Sequence, residues 1–423
     1  MNRLRVCLVA HHCNPEWGSE PLIGWRWASH LAEKVDLTVI THIRNRPAIE
    51  AQGLAANVEY VDTERIAAAV CRLNERLWGK SAPVNHLILE QISQLAFDRV
   101  AVKVARRLVK SGQIDLIHRV SPISPRFSTR LGTLGVPFVI GPVNGGVETA
   151  PGFGEVSEAE REGILKYRGL TRLLDPLART YRSASVILTA TEAARAALPR
   201  SVRDRAIHFP ENAVVLDRFP LVLDRDRSTL NVLYLGRLLE YKGVQYLLRA
   251  LASVRKRGLD VRLDVVGDGP SRARLEALTE ELQVRPWVSF HGRVPVESVP
   301  RAMSNADVFA LPSVRESGGA AVLEAMACGK PAIVVDHGGP SETVEEGCGI
   351  RLAALNPDEL VEQLSSSLWK LGTDEGYRLG MGLAARERVE RHYTWDRRIA
   401  AATRIYGELV RQRPVGVSQV RMA

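Results

Sequence analysis

The chain has 423 residues, of which 45% are hydrophobic and 25% charged, and its formal net charge is +9. This composition is sufficient for two buried cores and excludes a disordered or fibrous protein. Five cysteines, odd in number and never spaced as Cys-x-x-Cys, argue against a disulfide framework or a zinc site. No run of eighteen or more apolar residues is present, so no transmembrane helix is predicted and we expect a cytoplasmic protein.

Positive charge is concentrated between residues 64 and 130, where there are twelve Lys or Arg residues and five Asp or Glu residues. Three interpretations are open: a solvated helix face, contact with an anionic membrane surface, or binding of nucleic acid. No DNA- or RNA-binding motif accompanies the charge, so we expect no nucleic-acid partner. Peripheral contact with the inner face of a membrane stays open beside the solvated surface.

Short apolar runs alternate with longer helical patterns along the chain. Most of the runs are rich in Val, Ile and Leu without polar alternation, which is typical of strands buried on both faces of a sheet. In the first half they lie at 4–10, 35–41, 58–61, 115–118, 136–140 and 186–189. In the second half they lie at 230–235, 261–266, 287–290, 307–311 and 331–335. The alternation predicts an α/β protein with doubly wound parallel sheets.

Eleven strands of this kind are too many for one core, so we predict two domains. The pattern is interrupted between residues 212 and 226, where Pro220 and a polar stretch precede a fresh apolar run. A last helical stretch after this second domain is predicted to pack back on the N-terminal domain. The predicted segments are, in chain order, 1–212, 213–394 and 395–423.

Two glutamates eight residues apart, Glu316 and Glu324, follow one of the predicted strands. A helix is predicted to begin between them at three small residues, Gly318, Gly319 and Ala320. The two glutamates are then at most ~12 Å apart along the helix axis, which is about the reach from the sugar of a nucleotide sugar to its ribose. The free N–H groups at the start of the helix suit a diphosphate. One carboxylate could hold a transferred sugar and the other a ribose; the alternative is an amphipathic helix with two incidental glutamates.

Two cations five residues apart, Arg237 and Lys242, directly follow the run at 230–235, in a segment that begins at Gly236. The carboxyl end of a parallel strand is where open α/β sheets bind ligands. A guanidinium fork and an ammonium group would suit a leaving diphosphate. The pair is weak evidence alone, since surface Arg and Lys are common, and gains weight beside the two glutamates.

With these motifs the second half resembles the C-terminal domain of the retaining glycosyltransferases of family 4. The matching segments, in the family's order and spacing, are 236–243, 266–270, 290–292, 316–324 and 338–342. The resemblance implies an α/β protein of GT-B fold, with two Rossmann-like, doubly wound parallel-sheet domains facing a central cleft. The N-terminal domain would be the acceptor side, and the C-terminal domain would bind the nucleotide sugar.

The resemblance also implies roles for individual residues. Arg237 and Lys242 would contact the diphosphate, Glu316 the donor sugar and Glu324 the ribose. The remaining donor-binding residues would be Gly236, Gly267, Gly318, Gly319, Ala320 and the base-bordering Gly292, Arg293 and Val294. Gly318 stands where the family usually has an aromatic or bulky residue, so the shape around the sugar differs there.

The first half is similar to the family more loosely. Gly18 and Ser19 follow the first strand, where the family often has two glycines close to the donor phosphate, and Glu20 comes next. His118 matches a family histidine that touches the donor sugar; a buried or strand-end histidine with satisfied hydrogen bonds is the alternative. The segment that contains Asn144 and Gly145 resembles a loop of bacterial polysaccharide transferases. We expect Glu20, Asn144 and Gly145 on the acceptor side.

Two other patterns are rejected. Asp224 and Asp226 match the Asp-x-Asp motif that holds a metal in other transferases, but they lie among arginines in a predicted linker. Gly267 and Gly269 begin a dinucleotide fingerprint, but Arg272 occupies the third glycine position.

The sequence therefore predicts a retaining, metal-independent hexosyltransferase, with no cofactor. Its partners would be a UDP- or GDP-sugar and a glycan or lipid-linked acceptor. Fixed cations and a helix N-terminus would stabilise the leaving diphosphate in a front-face displacement. Three alternatives stay open: a nucleotide-sugar epimerase, a sugar phosphorylase, and a non-catalytic binding protein on a degenerate transferase fold.

Overall fold

A computed structural model describes residues 3–66, 68–69, 72, 83–156, 175–223 and 229–412. The chain divides into two compact units. The first unit comprises 1–146, 163–211 and 396–423, and the second comprises 147–162 and 212–395. Both are built around one parallel sheet with helices packed against it.

The first unit contains a seven-stranded sheet. Its strands are β1 (Arg5–Ala10), β2 (Asp36–His42), β3 (Asn57–Val61), β4 (Leu116–Ser121), β5 (Phe138–Val143), β6 (Val186–Thr189) and β7 (Ala206–His208). Its helices are α1 (Glu20–Ala32), α2 (Arg46–Gln52), α3 (Pro83–Lys110), α4 (Asp175–Arg182) and α5 (Glu192–Ala197). The terminal helix, numbered α13 below, joins this unit from Asp396 onward.

The second unit contains a six-stranded sheet. Its strands are β8 (Leu230–Leu235), β9 (Val261–Val266), β10 (Val288–Gly292), β11 (Val308–Leu311), β12 (Ala332–Val335) and β13 (Gly349–Leu352). Its helices are α6 (Val244–Lys256), α7 (Arg272–Glu281), α8 (Val299–Asn305), α9 (Ala320–Ala327), α10 (Gly339–Thr343), α11 (Pro357–Thr373) and α12 (Glu375–His392). The terminal helix α13 (Trp395–Arg411) belongs to the first unit from Asp396 onward.

The two sheets share one strand order. It runs β3-β2-β1-β4-β5-β6-β7 in the first unit and β10-β9-β8-β11-β12-β13 in the second, and all pairs are parallel. Each sheet therefore reverses direction beside its first strand, between β1 and β4 and between β8 and β11. Ligands of doubly wound sheets bind at the carboxyl ends of the strands at this switch point. The loops after these four strands are therefore where a ligand site is expected.

The two predicted Rossmann-like, doubly wound parallel sheets are confirmed. Three strands, β6, β8 and β9, have the predicted bounds because most of their residues are apolar and buried and the strands lie inside their sheets. Two edge strands, β7 and β13, are absent from the eleven predicted runs. They have three and four residues, and exposed or half-exposed side chains interrupt their apolar pattern.

One division differs from the predicted domains. Residues 147–156 were assigned to the first domain but belong to the second unit. The Ala150 N–H donates to the Val314 carbonyl at 2.8 Å, and the Phe153 ring packs edge-on against Tyr246 with 5.8 Å between centroids. Residues 147–156 therefore belong to the second unit because they contact its core, although they lie in the first half of the chain.

Five described cations of the basic region, Arg99, Lys103, Arg106, Arg107 and Lys110, are exposed on α3, whereas Arg119 is buried in β4. Residues 67, 70–71 and 73–82 of that region, like the rejected Asp224 and Asp226, lie outside the described residues. In the described part of the chain, no helix combines the length and apolar character needed to span a membrane.

Candidate functional site

The loop after β8 carries both predicted diphosphate cations. It is held by Tyr234, whose buried hydroxyl donates to the Arg237 carbonyl at 2.8 Å. Burial raises the pKa of Tyr234, so its hydroxyl keeps the proton it donates. Lys242 ends a short 3-10 turn, and Gly243 follows with a φ of 77° and begins α6. The cations are therefore fixed by a buried hydrogen bond at one end of the loop and a helix start at the other.

Arg237 is exposed, and its Nη2 donates to the Tyr241 hydroxyl at 3.3 Å. A second guanidinium, that of Arg315, lies over the same ring at 4.1 Å from its centroid. The Lys242 ammonium lies 5.5 Å from that centroid. Three cations thus surround one tyrosine, and the local field favours an anionic ligand. The sequence analysis missed Tyr241 and Arg315, although each adjoins a residue it selected.

Glu316 lies in the loop after β11, the neighbouring strand at the switch point. Its Oε1 accepts the N–H of Ser317 at 3.1 Å and, less closely, that of Gly318 at 3.4 Å. Its Oε2 forms an ion pair with Lys242. The structure therefore joins the predicted sugar-binding carboxylate directly to one of the predicted diphosphate cations.

The backbone of this loop is held from the other side by the segment that opens α10. The Gly339 N–H donates to the Glu316 carbonyl at 3.0 Å. Gly338 has a φ of 73°, and a Cβ built there would come within 2.2 Å of the same carbonyl oxygen. Only glycine allows this approach. Gly338 therefore positions Glu316 without touching its side chain.

Helix α9 begins at Ala320 after Gly319, which has a left-handed φ of 66°. The predicted helix start between the two glutamates is thus confirmed. Glu324 is half-buried on this helix, while Gly318 and Gly319 are half-exposed and Ala320 is exposed. The first N–H groups of the eight-residue helix point toward the loop that holds Glu316.

The remaining predicted donor residues lie at the carboxyl ends of β8, β9 and β10. Gly236 donates its N–H to the Val266 carbonyl at 3.0 Å, and Gly267 donates to the Gly292 carbonyl at 2.8 Å. These bonds tie the ends of β8, β9 and β10 together. Arg293 is exposed and Val294 half-exposed in the loop that follows. The predicted donor residues of the second unit therefore share one edge of its sheet.

In the first unit, the predicted phosphate loop after β1 has the backbone geometry that glycine prefers. Gly18 and Ser19 are exposed, and Ser19 has a φ of 65° and a ψ of −139°. Residues other than glycine rarely adopt this conformation. Ser19 therefore holds a backbone conformation that suits glycine better than serine.

Glu20, the first residue of α1, is directed inward at this edge. Its Oε1 accepts the Ser121 hydroxyl at 2.8 Å and the Ile123 N–H at 3.2 Å, and lies 3.4 Å from His12 Nδ1. Burial by itself would raise the pKa of Glu20, but hydrogen bonds from His12, Ser121 and Ile123 outweigh it and lower the pKa. Glu20 is therefore an ionised, partly buried carboxylate.

His118 does not lie where the sequence analysis expected it. Strand β4 continues to Ser121, so His118 is inside the strand and fully buried. Its Nε2 bonds to the Gly141 carbonyl and its Nδ1 to the Tyr406 hydroxyl, both at 2.6 Å. Burial lowers the pKa of His118 to about 4. The ring is a neutral core group with both nitrogens engaged, which contradicts the expected contact with a donor sugar.

Asn144 is likewise turned inward. Its side chain is buried, donates to Glu211 Oε1 at 2.6 Å and accepts the Gly145 N–H at 2.7 Å. The expected presentation of this amide to an acceptor is therefore not seen. Gly145 is half-exposed, with a φ of 111°.

Among the described residues, no group of three or more His, Cys, Asp or Glu side chains is arranged to hold a metal ion. The strongest charge in the described second-unit site is that of its own cations, Arg237, Lys242 and Arg315.

Comparison with known proteins finds relatives for part of the chain. Residues 222–386, less than half of the chain, match the family model described as glycosyl transferases group 1. The chain is 32% identical over 174 residues to the GDP-mannose-dependent alpha-(1-6)-phosphatidylinositol monomannoside mannosyltransferase of Mycolicibacterium smegmatis. That match covers 40% of this chain and 45% of the relative. The chain spans about half the length of the curated relatives it matches.

Solved structures resemble the chain over nearly its whole length. Sucrose-phosphate synthase from Thermosynechococcus elongatus is similar with a TM-score of 0.63 and 20% identity, covering 96% of this chain and 99% of that one. The Anabaena protein HepE, in complex with UDP and glucose, is similar with a TM-score of 0.62 and 16% identity, with the same coverage. At these identities the likeness shows the fold. The chain therefore has the fold of two Rossmann-like domains seen in GT-B glycosyltransferases, and its residues 222–386 match the model of the group 1 glycosyl transferases.

Proposed function

We propose that the chain is a retaining glycosyltransferase that moves a hexose from a UDP- or GDP-sugar to a glycan or lipid-linked acceptor without a metal ion. The observation that carries this proposal is the cluster of Arg237, Lys242 and Glu316 in the loops after β8 and β11. These loops flank the switch point of the second sheet, where such folds bind nucleotides.

The donor would bind with its diphosphate on the cations. Arg237 is exposed and carries a guanidinium fork. Lys242 becomes available to the diphosphate when its ion pair with Glu316 breaks. Charge develops on the leaving diphosphate as the glycosidic bond to it breaks. Fixed cations and the N-terminus of α9 would stabilise that charge, at about 10²–10³ in rate for each group. This arrangement supports chemistry without a divalent ion.

The sugar and the nucleoside would then occupy the two ends of the cluster. Glu316 would accept hydrogen bonds from sugar hydroxyls, and Glu324 from the ribose. Gly292, Arg293 and Val294 would border the base. The relative named for GDP-mannose and the structure solved with UDP and glucose support both nucleotides as candidates.

The first unit would bind the acceptor through Glu20 and Gly145, and Gly18 and Ser19 in the loop after β1 would be donor-binding residues, as the family resemblance implies. Peripheral contact with an anionic membrane through the exposed cations of α3 is part of the proposal for a lipid-linked acceptor. It is separable from the donor chemistry.

The test is a thermal-shift screen with UDP, GDP, ADP, CMP and their common sugars, in EDTA throughout. A ligand at a hundred times its Kd stabilises the protein by about 2.7 kcal/mol, so one nucleoside diphosphate should raise the unfolding temperature clearly. An Arg237→Ala/Lys242→Ala double variant should lose that shift. A Lys370→Ala variant, which removes an exposed cation on α11, should keep it. A folded wild-type protein without any shift would contradict the proposal.

A further inference from the structure

Tyr241 joins the two loops that carry the proposed diphosphate cluster. Its carbonyl, in the loop after β8, accepts the Val314 N–H from the loop after β11 at 2.9 Å. The hydroxyl of the buried Ser313 lies 3.2 Å from the same carbonyl oxygen. A Cβ built at Gly243 would come within 2.0 Å of the Pro312 carbonyl oxygen, so the two loops also touch there. Main-chain contacts therefore fix how these loops lie against each other.

This contact gathers side chains of both loops around the Tyr241 ring. The Arg315 guanidinium lies 4.1 Å from the ring centroid, inside the distance at which a cation is attracted to the face of an aromatic ring. At the polar end of the ring, Arg237 Nη2 donates to the Tyr241 hydroxyl at 3.3 Å. One half-buried side chain thus holds two guanidinium groups that follow different strands of the sheet.

Another guanidinium of the second unit stacks on an aromatic ring in the same way. Arg257, directly after α6, lies 4.0 Å from the ring centroid of Trp369. A stack of this kind is by itself a packing contact. Arg257 precedes the amino end of β9, whereas Arg237 and Arg315 follow the carboxyl ends of β8 and β11, where doubly wound sheets bind ligands. The place of the Tyr241 stack, more than the stacking, points to a ligand.

The charges beside the ring suit an anion. The Lys242 ammonium lies 5.5 Å from the Tyr241 centroid and pairs with Glu316. The other carboxylate in the loops at 236–243 and 312–319, that of Glu240, pairs with Arg274 on α7 at 2.9 Å. Cations brought this close repel one another, and an anion bound beside the ring lowers that repulsion. A diphosphate offers several oxygens that can accept from guanidinium forks at once.

We propose that Arg315 is a further ligand of the donor's diphosphate. Tyr241 is the positioning residue that aims Arg315 and Arg237 at it. The proposal rests on the glycosyl transfer proposed above and deepens its donor half. Arg315 donates to phosphate oxygens both in the nucleotide sugar and in the nucleoside diphosphate that leaves. Every residue of the assignment lies in the second unit.

The experiment is isothermal titration of the full chain with UDP and with GDP, in EDTA, beside urea unfolding of each variant. Arg315→Ala should raise the Kd by about tenfold to a hundredfold, because hydrogen bonds between charged groups are lost. Arg315→Lys should recover part of the affinity, since an ammonium keeps the charge but not the flat fork. Arg257→Ala is the matched control: it also removes a stacked guanidinium and should leave the Kd unchanged.

Inorganic pyrophosphate tests whether the contact is with the phosphates. It carries neither base nor ribose, so it should displace UDP or GDP from the wild type and do so less well from Arg315→Ala. Equal displacement from both proteins would place Arg315 on another part of the nucleotide and overturn the assignment.

A double-variant cycle separates positioning from support of the fold. Tyr241→Phe keeps the ring and removes the hydroxyl that Arg237 contacts, so the Kd should rise by about two- to fivefold. In an Arg237→Ala background the same change should have no further effect, because its partner is gone. In an Arg315→Ala background the effect should persist in full. Equal effects in all three backgrounds would overturn the positioning role of Tyr241.

The outcomes distinguish this proposal from the transferase proposal. A folded Arg315→Ala variant with the wild-type Kd overturns the ligand assignment and leaves the transferase proposal standing, since Arg237 and Lys242 still bind the diphosphate. A folded wild-type chain that binds neither UDP nor GDP overturns both. Should Arg315→Ala fold poorly, Arg315→Gln provides the same comparison, because it keeps a long polar side chain without the charge.

Discussion

Lys242 and Glu316 form an ion pair between two loops that follow different strands of the second sheet, and their side chains are only 13% and 14% exposed. The cation proposed for the diphosphate is therefore neutralised by the carboxylate proposed for the sugar. A donor must compete with Glu316 for Lys242, or bind so that both partners reach it. Because the pair is largely shielded from water, its attraction is screened less than that of a surface pair.

Replacing Glu316 with glutamine should separate nucleotide binding from transfer. Without the carboxylate, Lys242 is free for the diphosphate, so the Kd for UDP or GDP should fall by about five- to tenfold, the equivalent of about 1–1.4 kcal/mol. Sugar transfer should fall sharply because the sugar hydroxyls then donate to a neutral amide oxygen and no longer to a carboxylate, which is the stronger acceptor. Isothermal titration with EDTA present gives the Kd, and a donor-turnover assay gives the rate.

The matched control for Glu316→Gln is Asp374→Asn, which releases Lys370 from an exposed ion pair on α11. This variant should change neither quantity. Weaker binding of the nucleoside diphosphate by Glu316→Gln would show that the carboxylate helps to hold the donor and does not compete with it.

Gly338→Ala should displace the Glu316 loop. The new Cβ would lie 2.2 Å from the Glu316 carbonyl oxygen, and alanine is strained at a φ of 73°. Strain of this kind costs about 1–3 kcal/mol, which should appear as a lower urea midpoint and a loss of donor turnover. Gly380→Ala is the control, because nothing lies near its Cβ on the exposed face of α12. Equal turnover in the two variants would contradict the positioning role of Gly338.

Ser19→Gly should stabilise the protein. Ser19 holds a backbone conformation that glycine adopts without strain, so the substitution should raise the free energy of unfolding by about 1 kcal/mol. The same substitution at Ser29, inside α1, should lower it by about 0.5 kcal/mol, since glycine is a poorer helix former than serine. Urea unfolding of both variants decides the sign. A destabilised Ser19→Gly variant would mean that the serine side chain matters more than the strain.

His118→Gln should make the folded state less sensitive to acid. The His118 ring is buried, which lowers its pKa from the ordinary value of 6.5 to about 4, so unfolding takes up a proton between these pH values. Its contribution to stability is therefore full above pH 6.5 and is lost as the pH falls toward 4. Between pH 7 and pH 5 the free energy of unfolding should fall by about 2 kcal/mol, because pH 5 lies about 1.5 pH units below the pKa of histidine in the unfolded chain.

The measurement is the free energy of unfolding of wild type and His118→Gln at pH 7 and pH 5. The variant should be less stable at pH 7, having lost the bonds to Gly141 and Tyr406, but its decline toward pH 5 should be smaller. His392→Gln should decline as wild type does. Parallel declines in wild type and His118→Gln would show that His118 is not the protonating group.

Local patterns were enough to identify most of the fold. Strands such as β8 were predicted with their bounds because a nearly continuous apolar run inside a parallel sheet is a local property. The start of α9 was predicted because glycines directly before an apolar helical pattern mark a helix terminus. The edge strand β13 was missed because Gly349 and the exposed Arg351 interrupt its apolar run, and only pairing with β12 makes it a strand.

The sequence by itself determined the elements and selected Arg237, Lys242, Glu316 and Glu324, because spacing along a strand end or a helix is set locally. The tertiary structure alone decided which side chains meet. It paired Lys242 with Glu316, which are 74 positions apart, and placed Glu20 and Ser121 around His12. It also enclosed His118, because β4 runs three residues further than its apolar pattern and α13 supplies Tyr406. Contacts between distant segments depend on sheet order and packing, and no local pattern encodes them.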